Sequence, residues 1–573
     1  MTWQDAYEQW KNFPDLDAQV RAELEELEKD EDALQEAFYK EVNFGTAGMR
    51  DLMGPGTNRL NIYTVRQATE GLARVMEEYG QEAVDRGVAI AYDGRHHSLE
   101  FAQNAARVLG QHEIKSYIFE GVRPTPELSF TVRHLGTFTG IMITASHNNE
   151  YYNGYKVYGA DGGQMPPQDA DALVNHVKDV NMLTIPLADL DEIKAKGLYQ
   201  VIGKEVDDAY LKNLETVTVN PDIIDKMKDK VTIVYTPLQG TGQKLMEEAL
   251  DKAGFENIVY VDEQKEPNGD FSTLDEPNPE YPEAFEYAMR YGKESHADLL
   301  IATDPDADRM GAAALMPDGS YKIISGNQIG ALLTHYILTA RKEEGTLPEN
   351  GVIVKSIVSS DLPAKIAESF NIATENTLTG FKFIAEKIQE YEETGEHSFL
   401  FGFEESYGYL IKPFARDKDA VQAALLFAEV GAFYKDQGKT VYDGLLDLYK
   451  EYGYYLEKTI SLKFEGQAGA KKIESIMANL RQEQPQEIGG QAVLLTEDFQ
   501  TGERIDDQGQ VEHFDMSRSN VLKYQLEDGS WIAVRPSGTE PKIKFYIGVK
   551  ADSEDQAAQK VDQYGQVMQA LAE

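Results

Sequence analysis

The hydrophobic pattern changes character twice along the chain. Over residues 1–40 the apolar positions Leu24, Leu27, Leu34 and Phe38 recur at helical spacing within an acidic stretch, and Thr2 and Asp5 stand at capping-box distance. This predicts an N-terminal helical extension. From residue 41 short apolar runs alternate with amphipathic stretches. Strands are predicted at Val88–Tyr92, Ser116–Phe119, Thr139–Thr144, Val231–Tyr235, Leu299–Thr303, Val352–Ser356 and Phe399–Phe403. Strand–helix alternation means α/β units, whose ligand sites lie at strand ends. From about residue 458 aromatic, alternating strands (Trp531–Val534, Ile543–Val549) precede an Ala/Gln-rich helix, which predicts a separate α+β domain. Gln482–Gly490 is polar and reads as an exposed loop. The segments are therefore 1–40, 41–203, 204–324, 325–457 and 458–573.

Length and charge sharpen this picture. A chain of 573 residues exceeds one ordinary core, and its apolar fraction of 42% fits a globular protein. Net charge is −43, from 98 acidic and 55 basic residues. Such a surface repels nucleic acid and anionic membranes, so neither is expected as a partner. Any anion site must be built locally from Arg, Lys and backbone N–H groups. The chain has no cysteine, which excludes disulfides and thiolate zinc sites. The start MTWQDAYEQW lacks the flank and apolar core of a signal peptide, and no run reaches the roughly 18 apolar residues of a membrane span. A cytoplasmic protein is expected.

Four loops carry candidate chemistry. Thr144-Ala145-Ser146-His147-Asn148-Asn149 follows an apolar run, and Ser146 is a hydroxyl nucleophile with His147 beside it and Lys156 ten residues on. Asp304-Pro305-Asp306-Ala307-Asp308-Arg309 places three carboxylates at alternate positions, which favours a hard cation such as Mg²⁺ or Ca²⁺ over a solvated acidic turn. An EF-hand is excluded, because Arg309 stands where the turn glycine belongs and Leu315 where the bidentate Glu belongs. A strand-end loop that leaves room for a phosphate oxygen fits Mg²⁺. In Gly402-Phe403-Glu404-Glu405-Ser406-Tyr407-Gly408, Glu404 and Ser406 can face one cavity and hydrogen-bond sugar hydroxyls, although taken alone the segment more often reads as a loop with surface carboxylates. Arg535-Pro536-Ser537-Gly538-Thr539-Glu540-Pro541-Lys542 offers an arginine fork, two hydroxyls and a glycine turn, which suit either an anion cradle or an ordinary β-hairpin turn. By contrast Gly240-Thr241-Gly242 is no dinucleotide loop, since Leu245 occupies the third glycine's place.

Together these loops resemble those of the α-D-phosphohexomutases. The matching segments are FGTAGMR (44–50), TASHNNEYYNGYKVY (144–158), DPDADRMG (304–311), TLTGFKF (377–383), GFEESYGY (402–409) and RPSGTEPKIKFY (535–546), in family order. The resemblance implies three related mixed α/β domains plus a C-terminal α+β domain around a central cleft, each supplying one loop. It implies a phosphoserine at Ser146, which also joins Asp304, Asp306 and Asp308 around one Mg²⁺ per chain. Arg50 and Arg309 match arginines near the transferred phosphoryl group, and His147 and Lys156 match proton-transfer residues. Glu404 and Ser406 match the sugar readers; Thr379, Gly380 and Lys418 lie in further sugar-contacting segments. Arg535, Ser537, Gly538 and Thr539 match the cradle for the phosphate that is not reacting.

The implied activity is interconversion of α-D-glucose 1-phosphate and glucose 6-phosphate, with glucose 1,6-bisphosphate as primer and intermediate. The implied enzyme is a monomer or weak homo-oligomer acting on a free phosphosugar. Bacterial enzymes of dual mannose and glucose specificity often carry histidine where Gly408 stands here, and the EESYG form is similar to glucose-type mutases. The extended FGTAGMR start resembles the branch that also holds phosphopentomutases. Mannose and pentose phosphates thus remain alternative substrates. A sugar-phosphate phosphatase or a catalytically silent sensor are alternatives of other classes.

Overall fold

The computed structural model describes residues 2–42, 44–45, 48–165, 167–178, 180–464, 466–537 and 542–572. The N-terminal extension is three helices, Trp3–Lys11, Ala18–Leu27 and Glu31–Phe38, capped by Thr2, Asp17 and Asp30. Thr2 and Asp5 form the capping box that their spacing predicts. The extension is packed into a core rather than projecting as a tail. Trp10 is 2% exposed, with its ring edge-on to Phe38 and Tyr63, and it shares one apolar cluster with Val88 and Ile90.

That cluster lies against a six-stranded sheet in the order Gly48–Leu52, Tyr152–Tyr158, Thr139–Ile143, Val88–Tyr92, Ser116–Phe119 and Tyr199–Ile202. The last four strands are parallel, and Tyr152–Tyr158 runs antiparallel between its two neighbours. Gly154 in that strand tolerates no side chain, because a Cβ there would lie 2.3 Å from the carbonyl oxygen of Thr144. The serine loop is therefore pinched between Ile143 and Tyr152 by backbone contact.

The next sheet repeats the device. Its order is Tyr321–Ile324, Met310–Leu315, Leu299–Thr303, Ile233–Thr236 and Ile258–Tyr260. The last three are parallel, and Met310–Leu315 is antiparallel to both neighbours. In both sheets a parallel strand turns back into an antiparallel one, and the turn carries the predicted chemistry. The strand predicted at Val231–Tyr235 forms at Ile233–Thr236, because Thr232 instead donates to the side chain of Asp298.

The chain is organised as two compact units: Met1–Ser325 with Ala385–Gly395 and Ser406–Val441, and Gly326–Ile384 with Glu396–Glu405 and Tyr442–Glu573. In the second, Gly351–Ser356 pairs in parallel with Ala373–Thr377 and with Ser398–Glu404. Its C-terminal part is an antiparallel sheet running from Tyr454–Lys463 through Lys542–Ala551, Trp531–Pro536, Leu522–Leu526 and Gln491–Asp498. Helices Gly466–Glu483 and Glu554–Ala572 contribute to its core. The stretch 482–490 is not wholly an exposed loop. Glu487–Ile488 pairs with Gln491–Ala492, and Ile488 is buried in that core.

Candidate active site

In the first unit Ser146 sits in the turn after Thr139–Ile143, 2% exposed and at a backbone φ of +53°. A non-glycine residue in the left-handed region is strained and persists where its surroundings fix it. Its N–H donates to Thr144 Oγ1 at 2.8 Å, and its hydroxyl donates to Asp304 Oδ2 at 2.9 Å. His147 Nδ1 lies 3.2 Å from the same hydroxyl. Burial, with the charges of Arg309 and Arg50, holds the His147 imidazole well below its usual pKa, so it is neutral at pH 7. Arg50 donates from Nη1 to Asn148 Oδ1 at 2.8 Å, so it stands beside the loop.

Asp304, Asp306 and Asp308 are buried, and one oxygen from each lies within 4.8 Å of the others. Asp304 Oδ1 accepts from the N–H groups of Asp308 and Arg309, each at 3.0 Å. Asp306 Oδ2 accepts from Lys156 Nζ at 2.8 Å and from Thr125 Oγ1 at 2.7 Å. Lys418 Nζ lies 3.2 Å from Asp308 Oδ2. Two buried oxygens, Asp306 Oδ1 and Asp308 Oδ1, have no hydrogen-bond partner. Burial and the neighbouring Asp308 and Asp306 push Asp304 well above the carboxylate range. At Asp306 burial is outweighed by Lys156 and by the Thr125 hydroxyl, and its pKa falls. Lys156 and Lys418 offset part of the charge, and burial with mutual repulsion still disfavours ionising all three carboxylates together. The hard oxygen set and its two unpartnered atoms fit a divalent metal.

The predicted cations converge here. Arg309 Nη1 donates to Glu280 Oε1 at 2.5 Å and to the carbonyl of Ser406 at 3.2 Å. Lys418 also pairs with Asp417 Oδ1 at 3.0 Å. Asp417 is fixed in turn by Tyr158 OH at 2.8 Å and Gln164 Nε2 at 3.1 Å. The stem of Lys418 passes over Gly408, where a Cβ would come within 2.2 Å of Lys418 Cδ.

In the second unit Glu404 is buried and its Oε1 accepts from Gly380 N–H at 2.7 Å. Gly380 has φ +123°, which suits glycine, and the neighbouring Thr379 hydroxyl is buried without a hydrogen-bond partner. Arg535 is the last residue but one of the strand Trp531–Pro536, opposite Lys544, and Ser537 N–H donates to the Lys542 carbonyl at 2.7 Å. Gly538 and Thr539 of the predicted cradle lie outside the described residues.

Several supporting residues carry no signal in the linear sequence that would single them out: Thr125, Asp417, Glu280 and the Gly240–Thr241 turn. Thr241 donates from both its N–H and its hydroxyl to the Pro305 carbonyl, at 2.8 and 2.9 Å. A Cβ on Gly240 would lie 2.3 Å from Pro305 Cα. The glycine pair that is no dinucleotide loop is thus a buttress for the acidic loop. A small-residue turn after a strand marks its position, but nothing local names the loop it supports.

Known proteins resemble this chain in sequence and fold. Four family models match in order: phosphoglucomutase/phosphomannomutase alpha/beta/alpha domains I (41–183), II (208–315) and III (325–452), and the C-terminal domain (462–564). A phosphoglucomutase of Staphylococcus aureus strain N315 is 40% identical over 532 residues, covering 92% of this chain and 93% of its own. One from Staphylococcus haemolyticus strain JCSC1435 is 38% identical over 535 residues, covering 92% and 94%. Among solved structures, the Paramecium phosphoprotein parafusin, a phosphoglucomutase, superposes with a TM-score of 0.69 at 17% identity, covering 93% of this chain and 95% of its own. The chain belongs to the phosphoglucomutase/phosphomannomutase family, the α-D-phosphohexomutases. It is an enzyme of the isomerase class, a phosphotransferase. Among the described residues no helix is long and apolar enough to cross a membrane.

Proposed function

We propose that this chain is a phosphoglucomutase: it interconverts α-D-glucose 1-phosphate and glucose 6-phosphate through a phosphoserine at Ser146 and a glucose 1,6-bisphosphate intermediate. The observation that carries the reading is the Ser146 hydroxyl at 2.9 Å from Asp304, with Asp306 and Asp308 completing one buried oxygen cluster. Identity of 40% to a named phosphoglucomutase supports glucose as the sugar. We assign the four domains to 41–203, 204–324, 325–457 and 458–573. The working form is a cytoplasmic monomer or weak homo-oligomer taking a free phosphosugar.

Asp304, Asp306 and Asp308 would hold one Mg²⁺, together with an oxygen of the Ser146 phosphate. When bound, the ion supplies charge neutralisation at the phosphoryl oxygens. The side chains do the rest. When Ser146 is rephosphorylated, its Oγ–P bond forms as the sugar's O–P bond breaks. The hydroxyl turns from Asp304 and gives its proton to Nδ1 of the neutral His147, and the departing sugar oxygen takes a proton from Lys156. Arg50 and Arg309 bear the charge of the transferring group. Transfer in the other direction reverses each step. Glu404 and Ser406, with Thr379, Gly380 and Lys418, orient the ring hydroxyls. Arg535, Ser537, Gly538 and Thr539 bind the phosphate that is not reacting.

The test is catalytic efficiency on glucose, mannose, glucosamine and ribose 1-phosphates, with Mg²⁺ and bisphosphate primer present. Glucose 1-phosphate is expected to lead. A ribose preference of about tenfold or more would reassign the enzyme to pentose phosphates, and stoichiometric release of free phosphate would make it a phosphatase.

A further inference from the structure

The carbonyl oxygens of the Ser146 loop are gathered by a single side chain from another strand. Arg95 follows Val88–Tyr92, which lies parallel and adjacent to Thr139–Ile143, so both loops leave the same edge of the sheet. Its Nη2 donates to the carbonyls of Ser146, at 2.6 Å, and Asn148. Its Nη1 donates to those of Asn149 at 2.6 Å and Tyr152 at 3.0 Å. Nε donates to Asp93 Oδ2 at 3.1 Å. A guanidinium has five N–H groups, and here all five have an acceptor.

The pair is built in, not incidental. The side chains of Arg95 and Asp93 are both 0% exposed. Asp93 Oδ1 also accepts from Arg95 N–H at 3.0 Å and from Ser98 Oγ at 2.8 Å. The Phe271 ring lies 4.8 Å from the guanidinium carbon. With every donor used, Arg95 has none left for a phosphoryl group. It is therefore distinct in role from Arg50 and Arg309.

We propose that Arg95 is the positioning residue of the phosphoryl-carrying serine. The loop is wound around its buried cation, which holds Ser146 in the left-handed conformation that sends Oγ to Asp304. Strain at Ser146 demands such over-determination, and four carbonyls held by one rigid fork provide it. Lysine cannot substitute, since an ammonium has three N–H groups and no planar fork. The inference rests on the mutase reading above.

The experiment compares wild type with Arg95→Lys and Asp93→Asn. Measured are kcat and KM for glucose 1-phosphate, the rate at which glucose 1,6-bisphosphate phosphorylates Ser146 by intact mass, and amide hydrogen exchange. For Arg95→Lys we expect kcat and the phosphorylation rate to fall together by about a hundredfold, the cost of an ångström-scale misplacement, with KM changed by less than about threefold. Exchange should quicken over residues 146–152 while the sheet strands on either side stay protected. Asp93→Asn, which removes the charge but keeps the shape, should show the same pattern more weakly. It carries the test if Arg95→Lys does not fold. A kcat within about threefold of wild type, unchanged exchange in the loop, or loss of protection throughout the sheet in both variants would each overturn the proposal. Lack of phosphosugar turnover in the wild type would sink the mutase reading alone, because the exchange measurement needs no substrate.

Discussion

The hydroxyl of Ser146 donates to Asp304 Oδ2, joining two loops whose residues lie 158 positions apart. Each loop is the turn between a parallel strand and its antiparallel neighbour, so the same local device presents the serine hydroxyl in one sheet and three carboxylates that could hold a metal in the next. This contact makes the serine the atom through which the two loops act.

Ser146→Ala should therefore abolish turnover by several orders of magnitude and leave the fold intact. Intact mass should show one phosphate on a fraction of wild-type molecules and none on the variant. Near-normal mutase activity in Ser146→Ala would remove the central claim.

Chelation should stop the reaction and added Mg²⁺ restore it. Asp306→Asn removes a charge from the buried cluster and the partner of Lys156 Nζ. Metal affinity measured by calorimetry should fall by about tenfold or more, since buried charge contacts of this kind contribute about 1.5–3 kcal/mol. Full activity in excess chelator, with no metal bound, would show the acidic loop to be misread.

Gly408 and Lys418 occupy one space. Gly408→Ala places a methyl group where Lys418 Cδ would be 2.2 Å away, so the stem must move and draw Nζ from Asp308 and Asp417. Catalytic efficiency on glucose 1-phosphate should fall by about tenfold or more, the scale of a charge-assisted hydrogen bond. The unfolding temperature should fall as well, because the methyl group overpacks a buried position and leaves the buried carboxylates of Asp308 and Asp417 without Nζ. Unaltered efficiency would mean that Lys418 is not needed where it lies.

Glu404→Gln should lower turnover of glucose phosphates much more than binding of inorganic phosphate. A site built for ring hydroxyls discriminates through its own polar groups, which are left unpaired by the wrong sugar. Mannose 1-phosphate is expected to remain a slower substrate and ribose 1-phosphate a poor one. Equal losses on all three sugars would deny Glu404 a role in reading them.

Lys523 provides a pH test away from the site. Its Nζ donates to the Ile357 carbonyl at 2.7 Å and lies 4.5 Å from the Trp531 ring. Burial lowers its pKa from 10.5 to about 8. Between about pH 8 and 10.5 the unfolded chain holds this proton and the folded one does not, so stability rises with pH across that window. Below it the buried charge costs on the order of 3 kcal/mol. Urea unfolding of wild type and Lys523→Met should show a stability difference that shifts in favour of wild type from about pH 8 to about pH 10. Subtracting the two cancels the tyrosines they share. A difference flat with pH would place the lysine's titration elsewhere.

How far the sequence could be read depended on the range of the interaction. The strands Val88–Tyr92, Ser116–Phe119 and Leu299–Thr303 form at the residues their apolar runs predict. Side-chain period and turn chemistry act over a few residues, so they survive in the linear pattern. Ser146 and the three aspartates were legible for the same reason, since each loop holds its reactive groups within a short span.

What supports those groups was not legible. Thr125 reaches Asp306 across 181 positions, Tyr158 reaches Asp417 across 259, and Arg95 reaches the Ser146 carbonyl across 51. None of these residues belongs to a pattern of its own, and a lone Thr, Tyr or Arg is most often surface or core. Their partners are decided by which strands become neighbours, and in the case of Arg95 by backbone carbonyls that every residue possesses. The sequence by itself determined the α/β units and marked the serine loop and the acidic loop that the fold brings together. Only the tertiary structure decided which buried donors answer which acceptors, because that pairing is settled when desolvated polar groups must find partners in the packed core.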